Sequence, residues 1–137
     1  MEKDIFKTVF FAQQPATVWE YLTKPELLEL WLGKTDFQPM VGHKFHFVSP
    51  YGNNSICEVL DVQPFTRLSY SWQKKSLKDN LAFDSTIVWT LVEKENGTEL
   101  QLQHTGFTFL EDAIGHSNGW HGCLKTMGEL MNAGTNA

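Results

Sequence analysis

The order of hydrophobic periods along this 137-residue chain predicts an α+β domain, an antiparallel sheet with helices packed on one face. Three observations carry that expectation. A strand-like segment and two short helix-like segments come first, then about five segments of period two, then one apolar helix. The links between the period-two segments are mostly short, which favours hairpin neighbours in a meander. The last segment is the only long apolar helix available to cover a sheet rich in rings, for the chain holds ten Phe, five Trp and three Tyr.

Taken in order, "DIFKTVFF" (4–11) reads as a strand, with Phe6, Thr8 and Phe10 on one face and Ile5, Lys7, Val9 and Phe11 on the other. "QQPATVWEYLT" (13–23) reads as a short helix. Pro15 suits its first turn, where no N–H is needed, and Val18, Trp19 and Leu22 form its apolar side. "TKPELLELW" (23–31) reads as a second helix, because Thr23 with Glu26 three residues later has capping-box spacing. Its expected stripe is Leu27, Leu30 and Trp31, and Gly33 is the expected stop.

From there the period changes to two. "HKFHFV" (43–48) aligns Phe45 with Phe47, "RLSYSW" (67–72) aligns Leu68, Tyr70 and Trp72, and "STIVWTLV" (85–92) aligns Ile87, Trp89 and Leu91. "TELQLQHTGF" (98–107) aligns Leu100, Leu102 and His104. In "SICEVLDV" (55–62), Ile56, Glu58, Leu60 and Val62 oppose Cys57, Val59 and Asp61, and the pattern leaves open which set faces inward. The connections are "GNN" (52–54), "QPFT" (63–66), "KENG" (94–97) and a longer 74–84 segment expected to be a mobile loop.

The closing segment "GHSNGWHGCLKTMGEL" (115–130) spaces Trp120, Leu124, Met127 and, just beyond, Met131 as one helical stripe. Gly115, Gly119, Gly122 and Gly128 interrupt it, and each glycine inside a helix costs about 1 kcal/mol relative to alanine. Two readings stand: close packing against neighbouring backbone, or room beside Trp120 and a helix able to yield to a ligand. Gly115 is expected to separate a short turn begun at Thr108 and Glu111 from the main helix.

Composition bounds the function. Hydrophobic residues at 42% and charged residues at 20% describe a folded chain, read as a single domain over 1–137. A net charge of −5 with scattered Lys and Arg argues against nucleic acid as a partner. No apolar run reaches the length of a membrane span, and "MEKDIFKTVFF" shows no signal-peptide pattern. Cys57 and Cys123 have neither CxxC nor zinc-site spacing and fit a reducing compartment, so the expected location is cytoplasmic.

The candidate site is a set of rings: Phe45, Phe47, Tyr70, Trp72, Trp89, Phe107 and Trp120. They read either as core or as the wall of a pocket of roughly 300–1,000 Å³. Cys123 and Met127 extend the same lining along the last helix. His104 continues an apolar strand face, where a lone histidine is more often structural than catalytic; in a pocket it would join Tyr70 and a cysteine as polar contacts. His43 and His46 point to opposite strand faces, and His116 and His121 have poor helical ligand spacing. With no HExxH, Walker or GxSxG motif, no catalytic residue, metal or cofactor is assigned.

Five blocks carry a resemblance: "PATVWEYLTKPELLELWLG", "VGHKFHF", "EVLDVQPFTRLSYSW", "TIVWTLVEKENGTELQLQHTGF" and "GWHGCLKTMGEL". In this order, over residues 4–132, they resemble the activator of Hsp90 ATPase C-terminal-domain-like family of the START-like, Bet v 1-like (SRPBCC) helix-grip superfamily. The chain departs from the family at Trp31–Leu32, where many relatives carry a doubled Trp, and at Gly42–His43, where many carry Gly-Gly. The resemblance implies a helix-grip fold, a curved antiparallel sheet of six or seven strands wrapped around a long C-terminal helix with a cavity between them. It implies binding of a hydrophobic small molecule as the leading function. The alternatives it leaves are an Hsp90-type chaperone or other protein partner, in a stress-response setting, and an enzyme acting on a reactive hydrophobic compound.

Overall fold

The computed structural model describes residues 3–49 and 54–135. Strand β1 (Ile5–Phe11) is followed by α1 (Pro15–Thr23), α2 (Pro25–Trp31) and the short β2 (Lys34–Thr35). Then come β3 (Lys44–Val48), β4 (Asn54–Gln63), β5 (Arg67–Lys75), β6 (Ala82–Lys94), β7 (Gly97–Thr105) and α3 (Leu110–Thr135). The strands form one seven-stranded sheet in the order β1-β7-β6-β5-β4-β3-β2, every pair antiparallel. The helix pair carries the chain from one sheet edge to the other, and the meander returns until Ile5 lies opposite His104. This is the helix-grip architecture that the resemblance implies.

Period two turns one face of every long strand toward α3. Phe45 and Phe47, Cys57 and Val59, Leu68, Tyr70 and Trp72, Ile87 and Trp89, and Leu100, Leu102 and His104 are all buried there. From the helix, Trp120, Leu124, Met127 and Met131 are buried along the expected stripe. Each large ring so buried contributes on the order of 2–3 kcal/mol. On β1 the inward set is Ile5 and Phe11, leaving Phe6 and Phe10 exposed on the outer face.

Burial settles the open question at Cys57, and a β-bulge between Val59 and Asp61 explains why the pattern leaves it open. Cys57 and Val59 face inward, while Ile56 and Leu60 are exposed. One extra residue then shifts the phase, so Val62, opposite Leu68, returns toward the core. The apparent alternation through Ile56, Leu60 and Val62 therefore joins two different faces.

Four expectations require correction. Thr23 caps no helix: its Oγ1 donates to the Trp19 carbonyl at 2.8 Å, and Lys24, in extended conformation, precedes α2. The buried residues of α2 are Leu28 and Trp31, and Leu30 is exposed. The 74–84 loop shrinks to 76–81, because Lys74 pairs with Phe83 and Lys75 with Ala82 as an extended hairpin. Finally, α3 runs unbroken through Gly115, where a Cβ would lie 3.2 Å from Leu77 Cδ1.

Smaller features complete the frame. At Gly33 a Cβ would sit 3.0 Å from the Val48 carbonyl oxygen, so glycine permits the close approach that starts β2, a strand too short for any periodic signal. Of the Gly42–His43 pair only Gly42 takes a positive φ, at +89°, and His43 sits in the turn without that strain. The "GNN" turn lies outside the described residues except for Asn54, which opens β4.

Candidate functional site

The candidate lining residues form a connected set of rings between sheet and helix. Phe45 lies 5.5 Å from Phe47 and 5.3 Å from Tyr70, centroid to centroid. Phe47 leads to Trp72 at 5.6 Å, Trp72 to Trp120 at 5.6 Å, and Trp120 to Trp89 at 5.5 Å. Phe107 lies 4.6 Å from His104. Met127 is fully buried on α3, and Cys123, one turn before it, is half-buried.

Hydrogen bonding decides what the polar tips of these rings do. The Trp120 indole N–H donates to His104 Nδ1 at 2.9 Å, and an indole nitrogen can only donate. His104 Nδ1 is therefore the bare acceptor, and the proton sits on Nε2, which donates to Ser85 Oγ at 2.8 Å. Ser85 Oγ in turn donates to the Trp72 carbonyl at 2.9 Å. Ser85 and His104 look like a nucleophile and its base, but the nitrogen facing the serine already carries a proton. Burial first, then the nearby His116 and Lys74, push the His104 pKa down to about 2. In this arrangement the pair is structural.

A second histidine repeats the pattern. Trp72 Nε1–H donates to His116 Nε2 at 3.2 Å, so the ring carries its proton on Nδ1, which donates to the Asp112 carbonyl at 2.8 Å. Burial also lowers the pKa of His116. The two imidazoles stand 5.3 Å apart at right angles, with Phe107 5.0 Å and Phe83 6.1 Å from His116. Elsewhere Trp89 Nε1–H donates to the Tyr70 hydroxyl at 2.9 Å, and burial holds the Tyr70 pKa well above its ordinary value. The tips expected to meet a ligand, Tyr70 and His104, are thus both engaged by tryptophans.

The β5–β6 end of this layer is fastened by Asp112. Its buried carboxylate accepts from Ser76 Oγ at 2.6 Å and from the Leu77 N–H at 2.7 Å, tying loop 76–81 to the first turns of α3. Lys78 adds an exposed ion pair with Glu111 at 3.5 Å and lies over the Phe109 ring at 5.0 Å. Beside this loop, Lys74 follows Leu68, Tyr70 and Trp72 along the inward row of β5 and is half-buried. Burial lowers its pKa and raises that of Cys123, while the Cys57 thiol is pushed up to about 12.

Of these residues, Ser85, His116, Asp112, Ser76, Lys74 and Phe37 stand outside the sequence-based set. Ser85 shares the two-residue period of Ile87 and Trp89, and His116 lies four residues from both Asp112 and Trp120; that signal becomes readable once α3 is continuous. Phe37, 4.9 Å from Phe45, lies in a stretch without period. Two open concavities lie outside the space between the sheet and α3. One, of about 630 Å³, is lined by Thr23, Pro25, Asp36 and Phe37 among others. The other, of about 320 Å³, lies between Pro15, Phe65 and Leu91. Among the described residues no group of three or more His, Cys, Asp or Glu side chains is placed to hold a metal, and no helix is long and apolar enough to cross a membrane.

Comparison with known proteins gives the same fold and a family. The family model described as activator of Hsp90 ATPase homolog 1-like protein matches residues 12–132. A crystal structure of protein MLL2253 from Mesorhizobium loti is 30% identical, covers 95% of this chain and 97% of its own, and superposes with a TM-score of 0.88. The solution structure of BH1534 from Bacillus halodurans is 29% identical, with 93% and 96% covered and a TM-score of 0.75. The AHSA1 protein SPO3351 from Silicibacter pomeroyi, at 18% identity, shares the fold with a TM-score of 0.79 over 95% and 98% of the two chains. No curated protein matches the chain. With its match spanning nearly the whole length, the chain belongs to the family of activator of Hsp90 ATPase homolog 1-like proteins.

Proposed function

We propose that this protein binds a small apolar molecule in the layer between the inward face of the sheet and α3. The observation that carries the reading is the pairing of a ring-built wall with a cover that is weak by composition. Gly119 and Gly122 lie on α3 beside Trp120, yet a Cβ at either position would meet nothing within 4 Å. The close-packing explanation for these glycines therefore fails. They lower helix stability by about 1 kcal/mol each with no packing return. A cover of that kind lets Trp120 move from Trp72 and Trp89 and admit an apolar guest against the exposed rings. The guest would offset the opening by burying its own surface at about 25 cal/mol per Å².

The test begins with protein purified from its own cells. Native mass spectrometry is expected to show a discrete extra mass that passes into organic solvent after denaturation. In parallel, the fluorescent probe N-phenyl-1-naphthylamine should brighten on binding the emptied protein and lose that response in a folded Trp120→Glu variant. A bare mass together with no probe response would sink the proposal.

A further inference from the structure

Lys74 is a cation where the rest of the layer is neutral. It occupies the inward row of β5 directly after Trp72, opposite Phe83 on β6, and is half-buried. Among the described residues none of the ion pairs includes its ammonium and no side-chain hydrogen bond engages it. Among the described residues the side chain whose charge would favour the ammonium is Cys123, and its thiol is itself kept protonated by burial. The neighbouring imidazoles, His104 and His116, are both neutral acceptors of indole protons, as their hydrogen bonds require. The chain holds 16 acidic residues against 11 basic ones, yet among the described residues none forms an ion pair with this ammonium. A partly desolvated cation without an anion is costly unless something supplies the anion.

We infer that the ligand is an apolar organic acid, its single anionic head group paired with Lys74 at the β5–β6 mouth and its apolar body against Trp72 and Trp120. This rests on the binding reading above and adds the class of ligand. The geometry orders the two parts. Lys74 is the outermost residue of the inward row, beside the short loop 76–81, so a head group there stays near water while the body extends inward past Trp72. A charge-assisted pair at such a half-dry position is stronger than one on the open surface. The lowered pKa of Lys74 agrees with the loss of water around it.

The test compares sodium laurate with dodecanol, which share a chain and differ in head group. Both are titrated by tryptophan fluorescence at pH 7.5 into the wild type, Lys74→Met and Lys74→Arg, with thermal unfolding confirming that each variant is folded. The ratio of laurate to dodecanol affinity is expected to fall about tenfold in Lys74→Met, with dodecanol binding unchanged and the ratio kept in Lys74→Arg. An unchanged ratio would show that the lysine only drapes its stem over the rings with its head in water, and would overturn the inference while leaving the binding reading intact. Equal weakening of both probes in Lys74→Met would overturn it too, since the side chain would then act by packing. If neither probe binds the wild type, the binding reading fails and the inference falls with it.

Discussion

The two ends of the ring layer use the same chemistry to different effect. Toward α1 and α2, Phe37, Phe45 and Tyr70 meet edge to face at 4.9–6.2 Å, and Trp31 meets Trp89 at 6.0 Å. Their polar tips close on one another or on backbone: Trp89 on Tyr70, and Trp31 on the Tyr21 carbonyl at 2.9 Å. Toward loop 76–81, Trp72, Trp120, Phe83 and Phe107 gather around two imidazoles, and the end is finished by a half-buried lysine and a carboxylate clamp. The first end is held by shape, and disturbing it leaves a cavity. The second is held by directional bonds that can be exchanged for others. A domain that must be both stable and openable can divide those tasks along its length.

Four changes test that division. Trp89→Ala strikes the end held by shape and is expected to cost about 3–5 kcal/mol in urea unfolding, as large ring-to-alanine core changes do. A loss below 1 kcal/mol would mean that this end is no better packed than the other. Asp112→Ala should cost about 2–3 kcal/mol, because the buried Ser76 Oγ and the part-buried Leu77 N–H lose their acceptor. Amide exchange should then quicken at Leu77 and spare β4. Equal quickening across both would erase the distinction between the ends.

Acid offers a third probe, aimed at the imidazoles. Folded His104 stays neutral down to about 2, whereas the ordinary value is 6.5. Between those values the unfolded chain binds the extra proton, so stability is fully present above 6.5 and falls as the pH drops. The contribution of His104 to that fall is about 2 kcal/mol at pH 5, and His116 shifts in the same direction. Urea midpoints at pH 7.5 and pH 5 measure it, and identical midpoints would contradict the neutral, bonded state of both rings. The smallest effect belongs to Gly119→Ala, which should stabilise by about 1 kcal/mol because the new methyl meets open space. Destabilisation there would restore a packing role for the glycine.

What the sequence makes legible follows the same division. The shape-held end is readable because period two marks Phe45, Phe47, Tyr70 and Trp89, and helical spacing marks Leu124 and Met127; each pattern is local. The bonded end depends on contacts between distant positions. Ser76 and Asp112 meet across 36 residues, and Trp72 and His116 across 44, spacings that no periodicity encodes. Reading Gly115 as a break hides His116 from the face of Trp120, and the polar run at 74–80 hides the inward Lys74. The bulge at Val59 and the two-residue β2 leave no readable trace at all.

The most direct measurement uses the indole N–H resonances of the five tryptophans, Trp19, Trp31, Trp72, Trp89 and Trp120, as reporters spread over the molecule. They would be followed by NMR while sodium laurate is titrated in. If an apolar acid enters beside α3 at the Lys74 end, Trp72 and Trp120 lose their bonds to His116 and His104, and their resonances shift most. Trp19 and Trp31 should stay in place. Shifts confined to Trp19 or Trp31, or none at any tryptophan, would contradict binding between the sheet and α3.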